Sequence, residues 1–133
     1  MNISFFLKPK VEVKYLQDDC SVQQALADML ESGFTAVPVI DKTGHYIGTI
    51  GEGDFLRLLM RTPAEKAAAM PVGQVRRRVT HRTVSMDASM EGLVELVTDQ
   101  NFVPVVDGRG MFCGIITRHD VIKYMTGIWK AKT

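Results

Sequence analysis

The residues best suited to chemistry form one stretch, Gly114-Ile115-Ile116-Thr117-Arg118-His119-Asp120. Thr117, followed three residues later by Asp120, is close to a capping pattern, so the stretch predicts a buried strand that leads directly into a helix. The first amides of such a helix are unpaired and favour an anion. Arg118 and His119 add donors and Asp120 adds an acceptor. Taken alone, the pattern also fits a capped helix with solvated charges.

The same pattern occurs twice in the chain. Five residues of the first half return 66 positions later, and the helices upstream align at a separation of 68. The 66-residue pairs are Pro38 and Pro104, Asp41 and Asp107, Gly44 and Gly110, Gly48 and Gly114, and Asp54 and Asp120; the 68-residue pairs begin with Ser21 and Ser89. The chain therefore contains an internal duplication of a strand–helix–strand–strand–helix unit.

The elements of the first repeat can be read from hydrophobic periodicity and turn residues. They are a strand at 11–15, where Val11, Val13 and Tyr15 alternate with polar residues, a helix at 22–30, a hairpin of strands at 34–40 and 46–50, and a helix at 55–60. Asp19 or Ser21 is predicted to cap the first helix, and Gly33 is predicted to end it.

Composition limits the class of protein. The 133 residues are 46% hydrophobic and 23% charged, with a net charge of +1, so nothing drives the whole chain toward nucleic acid or a membrane. Cys20 and Cys113 have no metal-ligand spacing and suit free thiols. The N-terminal apolar run is too short for a signal peptide, and we expect a cytoplasmic protein. The run Arg76-Arg77-Arg78 predicts a solvated face or an edge that faces phosphate.

The duplication has a physical consequence for binding. A unit of about 60 residues is small for an independent core, so two copies are expected to pack together through a two-fold axis, leaving two equivalent clefts. Helix starts and basic residues suit phosphate, and Asp54 and Asp120 suit the hydroxyls of a ribose. Apolar walls for a flat base come from Phe34, Val37, Ile50, Val103 and Ile116. Together these groups predict a nucleotide.

Over roughly residues 11–125 the chain resembles the tandem cystathionine-β-synthase (CBS) domain pair, or Bateman module. The doubled Val-Pro-Val-(Ile/Val)-Asp hairpin and the doubled Gly-x-x-x-x-x-Asp turn carry the resemblance. It implies an α/β (α+β) fold of two tandem β-α-β-β-α repeats, related by a pseudo-two-fold axis and packed through their sheets. The predicted segments are an N-terminal arm at 1–10, repeat 1 at 11–62, a connector at 63–78, repeat 2 at 79–126 and a C-terminal tail at 127–133.

The resemblance also implies site residues. The family pattern of Gly, two apolar residues, Ser or Thr, two further residues and Asp is matched in full by Gly114 to Asp120. Asp120 would hold ribose hydroxyls, Thr117 would hold phosphate, and His119 would lie beside it. Arg118 would contact this phosphate or reach that of the second cleft. Base contacts would come from the other repeat, through Cys20, Phe34, Thr35 and Ala36.

The first repeat departs from this pattern. Gly51 stands where a hydroxyl is expected, and Glu52, which matches Arg118, would repel a phosphate. The possible second cleft is therefore predicted to be the weaker one. Its residues would be Asp54, Gly53, Asn101 and Phe102.

Two functions follow from the sequence. The first is a stand-alone regulatory module, a homodimer that senses AMP, ADP, ATP or cyclic di-AMP and signals to an unknown partner protein. The alternative is a degenerate pair that only dimerises, and Trp129 is either a dimer contact or a residue packed or exposed near the chain end. An enzyme is not expected, because His45, His81 and His119 form no metal cluster and no phosphate loop or nucleophile motif is present. No cofactor or metal is predicted.

Overall fold

The computed structural model describes the backbone of residues 2–132 and the side chains of residues 2–128, so the side chain of Trp129 lies outside the described residues. In chain order the strands are β1 (Lys8–Pro9), β2 (Leu16–Gln17), β3 (Ala36–Ile40), β4 (Tyr46–Gly51), β5 (Phe102–Val106) and β6 (Phe112–Thr117). The α-helices are α1 (Val22–Ser32), α2 (Glu52–Arg61), α3 (Ala64–Ala69), α4 (Met90–Asp99) and α5 (Arg118–Lys132). Short 3-10 helices span Ile3–Phe6, Lys10–Glu12 and Val72–Gln74.

The chain divides into two compact units, and each contains one copy of the duplicated hairpin and its helices. The first-repeat unit comprises residues 14–80, and the second-repeat unit comprises residues 1–13 together with 81–133. The predicted repeat boundaries, 11–62 and 79–126, stay a prediction. The predicted connector supplies core residues to the first-repeat unit, because Ala67, Val72 and Val75 are buried.

The first-repeat unit contains a three-stranded mixed sheet in the order β2-β3-β4. β2 pairs with β3 in parallel, and β3 and β4 form the predicted antiparallel hairpin. Helices α1 and α2 cover this sheet with apolar side chains, among them the fully buried Val22 and Phe55. The Ser21 hydroxyl caps α1 by accepting a hydrogen bond from the Gln24 amide, and Gly33 ends the helix with a φ of 74°.

The second-repeat unit repeats this hairpin in the same register. β5 and β6 pair so that every partner lies 66 positions after its counterpart in β3 and β4, down to the irregularity near the turn. Its sheet order is β1-β6-β5. Val84 forms a parallel bridge to Val105, as Leu16 does to Val39 in the first-repeat unit. The structure thus confirms the predicted duplication of a β-α-β-β-α unit.

The turns of the two hairpins are built by the same hydrogen bonds. Oδ1 of Asp41 accepts from the amides of Thr43 and His45, both at 2.9 Å. Oδ1 of Asp107 accepts from the amides of Arg109 at 2.8 Å and of Met111 at 3.0 Å. An Asp at the first position of a turn makes such bonds to the backbone that follows, which explains why this residue recurs.

Two predicted strand positions differ in the structure. The predicted strand at 11–15 is wrong, because Lys10–Glu12 is a 3-10 helix and the strand is Leu16–Gln17. Val11 is 91% exposed, so the alternation there faces no core that could favour an extended strand. The hairpin strand predicted to start at residue 34 begins at Ala36 instead.

The segment predicted to be an N-terminal arm packs into the second-repeat unit. Ile3 and Phe6 are buried in its core, and the Phe6 ring meets the Tyr124 ring edge-on at 5.3 Å. β1 then pairs antiparallel with β6, with Lys8 opposite Ile115. This pairing joins residues more than a hundred positions apart, and the segment has no periodicity of its own that would predict it.

Gly114 allows this close approach. It has a φ of 151°, and a Cβ built there would lie 2.0 Å from the carbonyl oxygen of Lys8. At the duplicated position, a Cβ on Gly48 would lie 2.6 Å from Nε of Arg77, which belongs to a flexible side chain. The duplicated glycine position therefore faces backbone in the second-repeat unit and a side chain in the first-repeat unit.

We expect Gly114→Ala to lower the free energy of unfolding by about 3 kcal/mol or more, because the Lys8 backbone must move and φ is unfavourable for alanine. Gly48→Ala is the matched control and should cost about 1 kcal/mol, since the Arg77 side chain can shift. Urea unfolding of both variants measures the difference. Equal losses would contradict the assigned neighbours of the two glycines.

Candidate functional site

Asp120 lies at the start of α5, directly after β6. The Thr117 hydroxyl accepts a hydrogen bond from the Asp120 amide at 3.2 Å, so Thr117 caps the helix as predicted. The Asp120 side chain is 30% exposed. The duplicated turn therefore presents a carboxylate and a row of helix-start amides at one position.

The carboxylate of Asp120 makes few contacts with the protein. Among the described side chains, its contact is an ion pair in which Nζ of Lys8 lies 3.8 Å from Oδ2, longer than a hydrogen bond. An ionised carboxylate offers about four acceptor positions, so most of those on Asp120 remain available for a ligand. Two adjacent hydroxyl groups are the kind of donor pair that it could bind.

A cavity of about 590 Å³ adjoins Asp120 within the second-repeat unit. We call it the Asp120 pocket. Its lining residues are Phe5, Phe6, Leu7, Lys8, Asp120, Lys123, Tyr124, Gly127 and Ile128. Edge-on contacts connect three of its rings, with centroids 5.3 Å apart for Phe5 and Phe6 and 5.9 Å apart for Phe5 and Tyr124. The pocket thus combines aromatic walls with one carboxylate and two ammonium groups.

Asp54, the counterpart of Asp120, has a different environment. Its side chain is 11% exposed, and Oδ2 accepts from the Gly51 amide at 2.9 Å. Oδ1 accepts from Nη2 of Arg57 at 2.5 Å and from the Arg78 amide at 3.1 Å. Oδ2 thus makes the bond from the third helical residue back to the amide that precedes α2, while Gly51 has no hydroxyl that could accept from the Asp54 amide. It has little acceptor capacity left for a ligand.

A second cavity, of about 410 Å³, lies beside Asp54 within the first-repeat unit, and we call it the Asp54 pocket. Its lining residues are Asp54, Arg57, Leu58, Arg61, Thr62, Val75, Arg76, Arg77 and Arg78. The two pockets use the same helix positions, since Arg57, Leu58, Arg61 and Thr62 correspond to Lys123, Tyr124, Gly127 and Ile128. The duplication therefore extends to the cavities, but their chemistry differs.

Arg118 makes contacts that the sequence did not predict. Its Nε donates to the carbonyl oxygen of Val97 at 2.6 Å, and Nη2 lies 3.4 Å from the carbonyl oxygen of Thr98. These carbonyls belong to the last turn of α4, where acceptors are otherwise unpaired and a cation is favourable. Its predicted contact with phosphate stays a prediction. His119, beside it, is exposed.

The residues predicted to contact the base lie in the first-repeat unit, and their contact with a ligand at Asp120 stays a prediction. Phe34 and Thr35 are exposed and Ala36 is half-buried. The carbonyl of Thr35 accepts from the Glu52 amide at 3.0 Å. Burial raises the pKa of the Cys20 thiol, with a smaller contribution from the nearby Asp28 carboxylate, so Cys20 offers a neutral thiol and not a nucleophile.

The residues predicted for the second cleft are likewise divided between the units. Gly53 and Asp54 lie in the first-repeat unit, whereas Asn101 and Phe102 lie in the second. The carbonyl of Asn101 accepts from the Arg118 amide at 2.9 Å, repeating the bond from Glu52 to Thr35. Phe102 is buried and Asn101 is exposed. These four residues as one ligand site stay a prediction.

Sequence reasoning missed the residues that line the Asp120 pocket. Phe5, Phe6 and Lys8 belong to the segment interpreted as an arm, and no local signal places that segment beside Asp120. Lys123 and Tyr124 carried a usable signal, because residues three and four positions after Asp120 lie on the same helix face. The same spacing would have found Arg57 and Leu58 beside Asp54.

In the described part of the chain, no group of three or more His, Cys, Asp or Glu side chains is arranged to hold a metal ion. No helix there is long and apolar enough to cross a membrane.

The family model for the CBS domain matches the chain twice, at residues 8–61 and 72–127. Among curated relatives, the A-adding tRNA nucleotidyltransferase of Aquifex aeolicus (strain VF5) is 31% identical over 110 residues, or 81% of this chain, which spans only 12% of that enzyme. An uncharacterized protein of Methanocaldococcus jannaschii is 29% identical over 86% of this chain, which spans 30% of that protein. Cyclic di-AMP receptor B of Bacillus subtilis (strain 168) is 29% identical, over 84% of this chain and 78% of the receptor.

Solved structures share the fold. The complex of CbpB with c-di-AMP has a TM-score of 0.89 at 22% identity, covering 98% of this chain and 88% of that one. The complex of CBSX2 with AMP has a TM-score of 0.78 at 26% identity, covering 96% of this chain and 97% of that one. The predicted family and fold class are thereby confirmed.

The contacts of Arg118 lead to a stability prediction. Arg118→Ala should lower the free energy of unfolding by about 1–2 kcal/mol, because carbonyl oxygens at the end of α4 lose a charged donor. Arg109, whose side chain is 83% exposed, provides the control, and Arg109→Ala should change stability by less than about 0.5 kcal/mol. Chemical denaturation measures both. If the two variants are equally stable, Arg118 does not support the end of α4.

Proposed function

The chain belongs to the CBS domain family, and we propose that it is a regulatory module that binds an adenine nucleotide in the Asp120 pocket. The observation that carries this proposal is the lightly engaged Asp120 carboxylate beside an aromatic-walled cavity. Relatives support the ligand class, since one is named as a cyclic di-AMP receptor and a solved relative holds AMP.

Each part of a nucleotide has a complementary group in this pocket. The Asp120 carboxylate accepts hydrogen bonds from the two ribose hydroxyls. Phe5 and Tyr124 offer ring surfaces to the base, which is flat and stacks favourably on aromatic rings. Lys8 and Lys123 supply positive charge for phosphate, and the start of α5 adds unpaired amides.

Lys8 links phosphate binding to ribose binding. Its ammonium group lies 3.8 Å from Asp120 in the structure and is half-exposed. Exposed ion pairs of this kind contribute about 0–1 kcal/mol, so a phosphate can compete for Lys8 at low cost. Binding would then move Lys8 toward the phosphate and release Asp120 to the ribose.

A comparison of AMP, ADP and ATP would determine how many phosphates the ligand carries. A cavity of about 590 Å³ lies within the range of small-molecule sites and accepts one adenylate. AMP, ADP and ATP share the ribose and base contacts. Cyclic di-AMP presents two adenylate halves, and it is included because of the related receptor.

Regulation requires a surface that responds to the ligand, and we propose a homodimer formed through α2 and α5. Both helices expose apolar side chains at equivalent positions, namely Leu56 and Leu59 on α2 and Ile122 and Met125 on α5. Exposed apolar patches indicate interaction sites. A ligand that favours one dimer arrangement would change the surface offered to a partner protein. The same exposed side chains support the alternative of a module that dimerises without a nucleotide.

A ligand panel separates these two functions. The ultraviolet spectrum of the purified protein is recorded first for nucleotide that has copurified. Thermal unfolding is then followed with AMP, ADP, ATP, cyclic di-AMP and GMP. A ligand at 100 times its dissociation constant should add about 2.7 kcal/mol of stability. If no adenine nucleotide copurifies or shifts the transition, the chain is a dimerisation module only.

The two duplicated carboxylates should contribute unequally to binding. Asp120→Asn should weaken AMP binding by about tenfold or more, because ribose hydroxyls lose a charged acceptor. Asp54→Asn is the matched control and should weaken it less, since that carboxylate is already bonded to Arg57 and two amides. Titration calorimetry gives both affinities. Equal losses would refute the ranking of the two pockets.

Thr117 should act on the phosphate. For Thr117→Ala, affinity should fall more for AMP than for adenosine, because a phosphate contact is lost as well as the helix cap. Thr117→Ser retains the hydroxyl and should retain AMP binding. If the AMP and adenosine affinities fall by the same factor, Thr117 contributes only the cap.

A further inference from the structure

We propose that the Asp54 pocket is a second ligand site of a different class, which binds a compact anion with two or more linked phosphate groups. The site does not depend on ribose recognition, and the proposal is independent of nucleotide binding at Asp120.

Positive charge is concentrated in this pocket. Five of the chain's eight arginines line it, at positions 57, 61, 76, 77 and 78, against one carboxylate, Asp54. The corresponding pocket of the other unit has two lysines and three aromatic rings. A net charge of +1 for the whole chain therefore hides a strongly cationic cavity. Guanidinium groups bind phosphate oxygens in pairs, so several around one cavity favour a polyanion.

Asp54 positions other groups of the pocket and does not itself bind the ligand. Its carboxylate holds the Arg57 guanidinium and also accepts from the Arg78 amide, at the end of the arginine run. These bonds fix one cation and the backbone that presents the others. Because Asp54 cancels only one of the five charges, four positive charges remain for an anion.

Arg77 supplies an independent observation. Its Nη2 lies 3.4 Å from the carbonyl oxygen of Ile47, whereas Nη1 is buried and has no hydrogen-bond partner among the described residues. Buried polar groups are almost always bonded, and an unpaired charged donor is costly. Arg77 also lines the pocket, and a bound anion that draws its guanidinium outward from Ile47 would give this nitrogen the partner it lacks.

The cavity favours phosphates over a whole nucleotide. Its volume is about 410 Å³, and its apolar lining is limited to Leu58 and Val75 with no aromatic ring. A base would find no stacking surface there, whereas a diphosphate or triphosphate matches the charge. Such a group occurs as an inorganic anion and as the tail of a nucleotide, and the shared chemistry is the linked phosphates.

The first experiment is titration calorimetry of the full chain with inorganic pyrophosphate in magnesium-free buffer. Arg76→Gln and Arg61→Gln should each weaken binding by about fivefold to tenfold, because a charged donor is lost. Arg109→Gln, an exposed arginine of the other unit, is the control and should leave binding unchanged. Loss of wild-type binding on raising the salt concentration is also expected. No wild-type binding, or equal losses in all three variants, overturns the proposal.

The second experiment asks whether removal of the Asp54 charge strengthens or weakens pyrophosphate binding. Asp54→Asn should strengthen pyrophosphate binding by about twofold or more, because the one negative charge in the pocket is removed. A carboxylate that holds a ligand hydroxyl would give a loss instead. Thermal unfolding checks that the variant is folded, and the exposed Arg61 and Arg76 variants decide the question if it is not. A folded variant with weaker pyrophosphate binding contradicts the proposal.

The remaining arms separate the two sources of phosphate and the two pockets. Pyrophosphate is compared with ADP and adenosine in the Asp120→Asn background, where the nucleotide pocket is weakened. Pyrophosphate affinity should be unchanged there, and ADP binding that persists and needs Arg76 would identify a nucleotide tail as the source. If Asp120→Asn abolishes pyrophosphate binding, there is one site and this proposal fails. If AMP binds but pyrophosphate does not, only this proposal fails.

Discussion

The bonds made by the Asp carboxylate at each strand-to-helix turn determine whether that turn can bind a ligand. In the second-repeat unit, the Thr117 hydroxyl accepts from the Asp120 amide, and the Asp120 carboxylate is left with a long ion pair. In the first-repeat unit Gly51 has no hydroxyl, and Asp54 itself accepts from the Gly51 amide. Asp54 also accepts from Arg57 and from the Arg78 amide, so its carboxylate is used by the fold, whereas the Asp120 carboxylate remains available to a ligand.

The two pockets have different lining side chains, although equivalent backbone elements surround them. Hairpin register, turn hydrogen bonds and the positions of α2 and α5 repeat at a separation of 66 residues. Aromatic rings from the N-terminal segment and α5 surround the available carboxylate, whereas arginines surround the engaged one. The proposed division of labour, with a nucleotide in one pocket and linked phosphates in the other, follows from these side chains and not from the fold. Duplication supplied two equivalent cavities, and their linings set the chemistry.

Much of the fold could be predicted from the sequence because its signals are local. Pro38, Asp41 and Gly44 mark a hairpin wherever they recur, and Ser21 and Gly33 mark the ends of a helix. The docking of residues 1–10 could not be predicted, since β1 pairs with a strand more than a hundred residues away. Arg118 shows the other limit, because its charge and position suggested phosphate while its contacts are the carbonyls at the end of α4. Side-chain direction, which spacing does not specify, made that difference.

The most direct test of the central claim is a crystal structure of the full chain grown with AMP. The account predicts that the ribose hydroxyls lie within hydrogen-bond distance of the Asp120 carboxylate, with the base against Phe5 or Tyr124. Asp54 should still be bonded to Arg57. A ribose bound at Asp54, or an Asp120 pocket filled by protein side chains at saturating AMP, would contradict it.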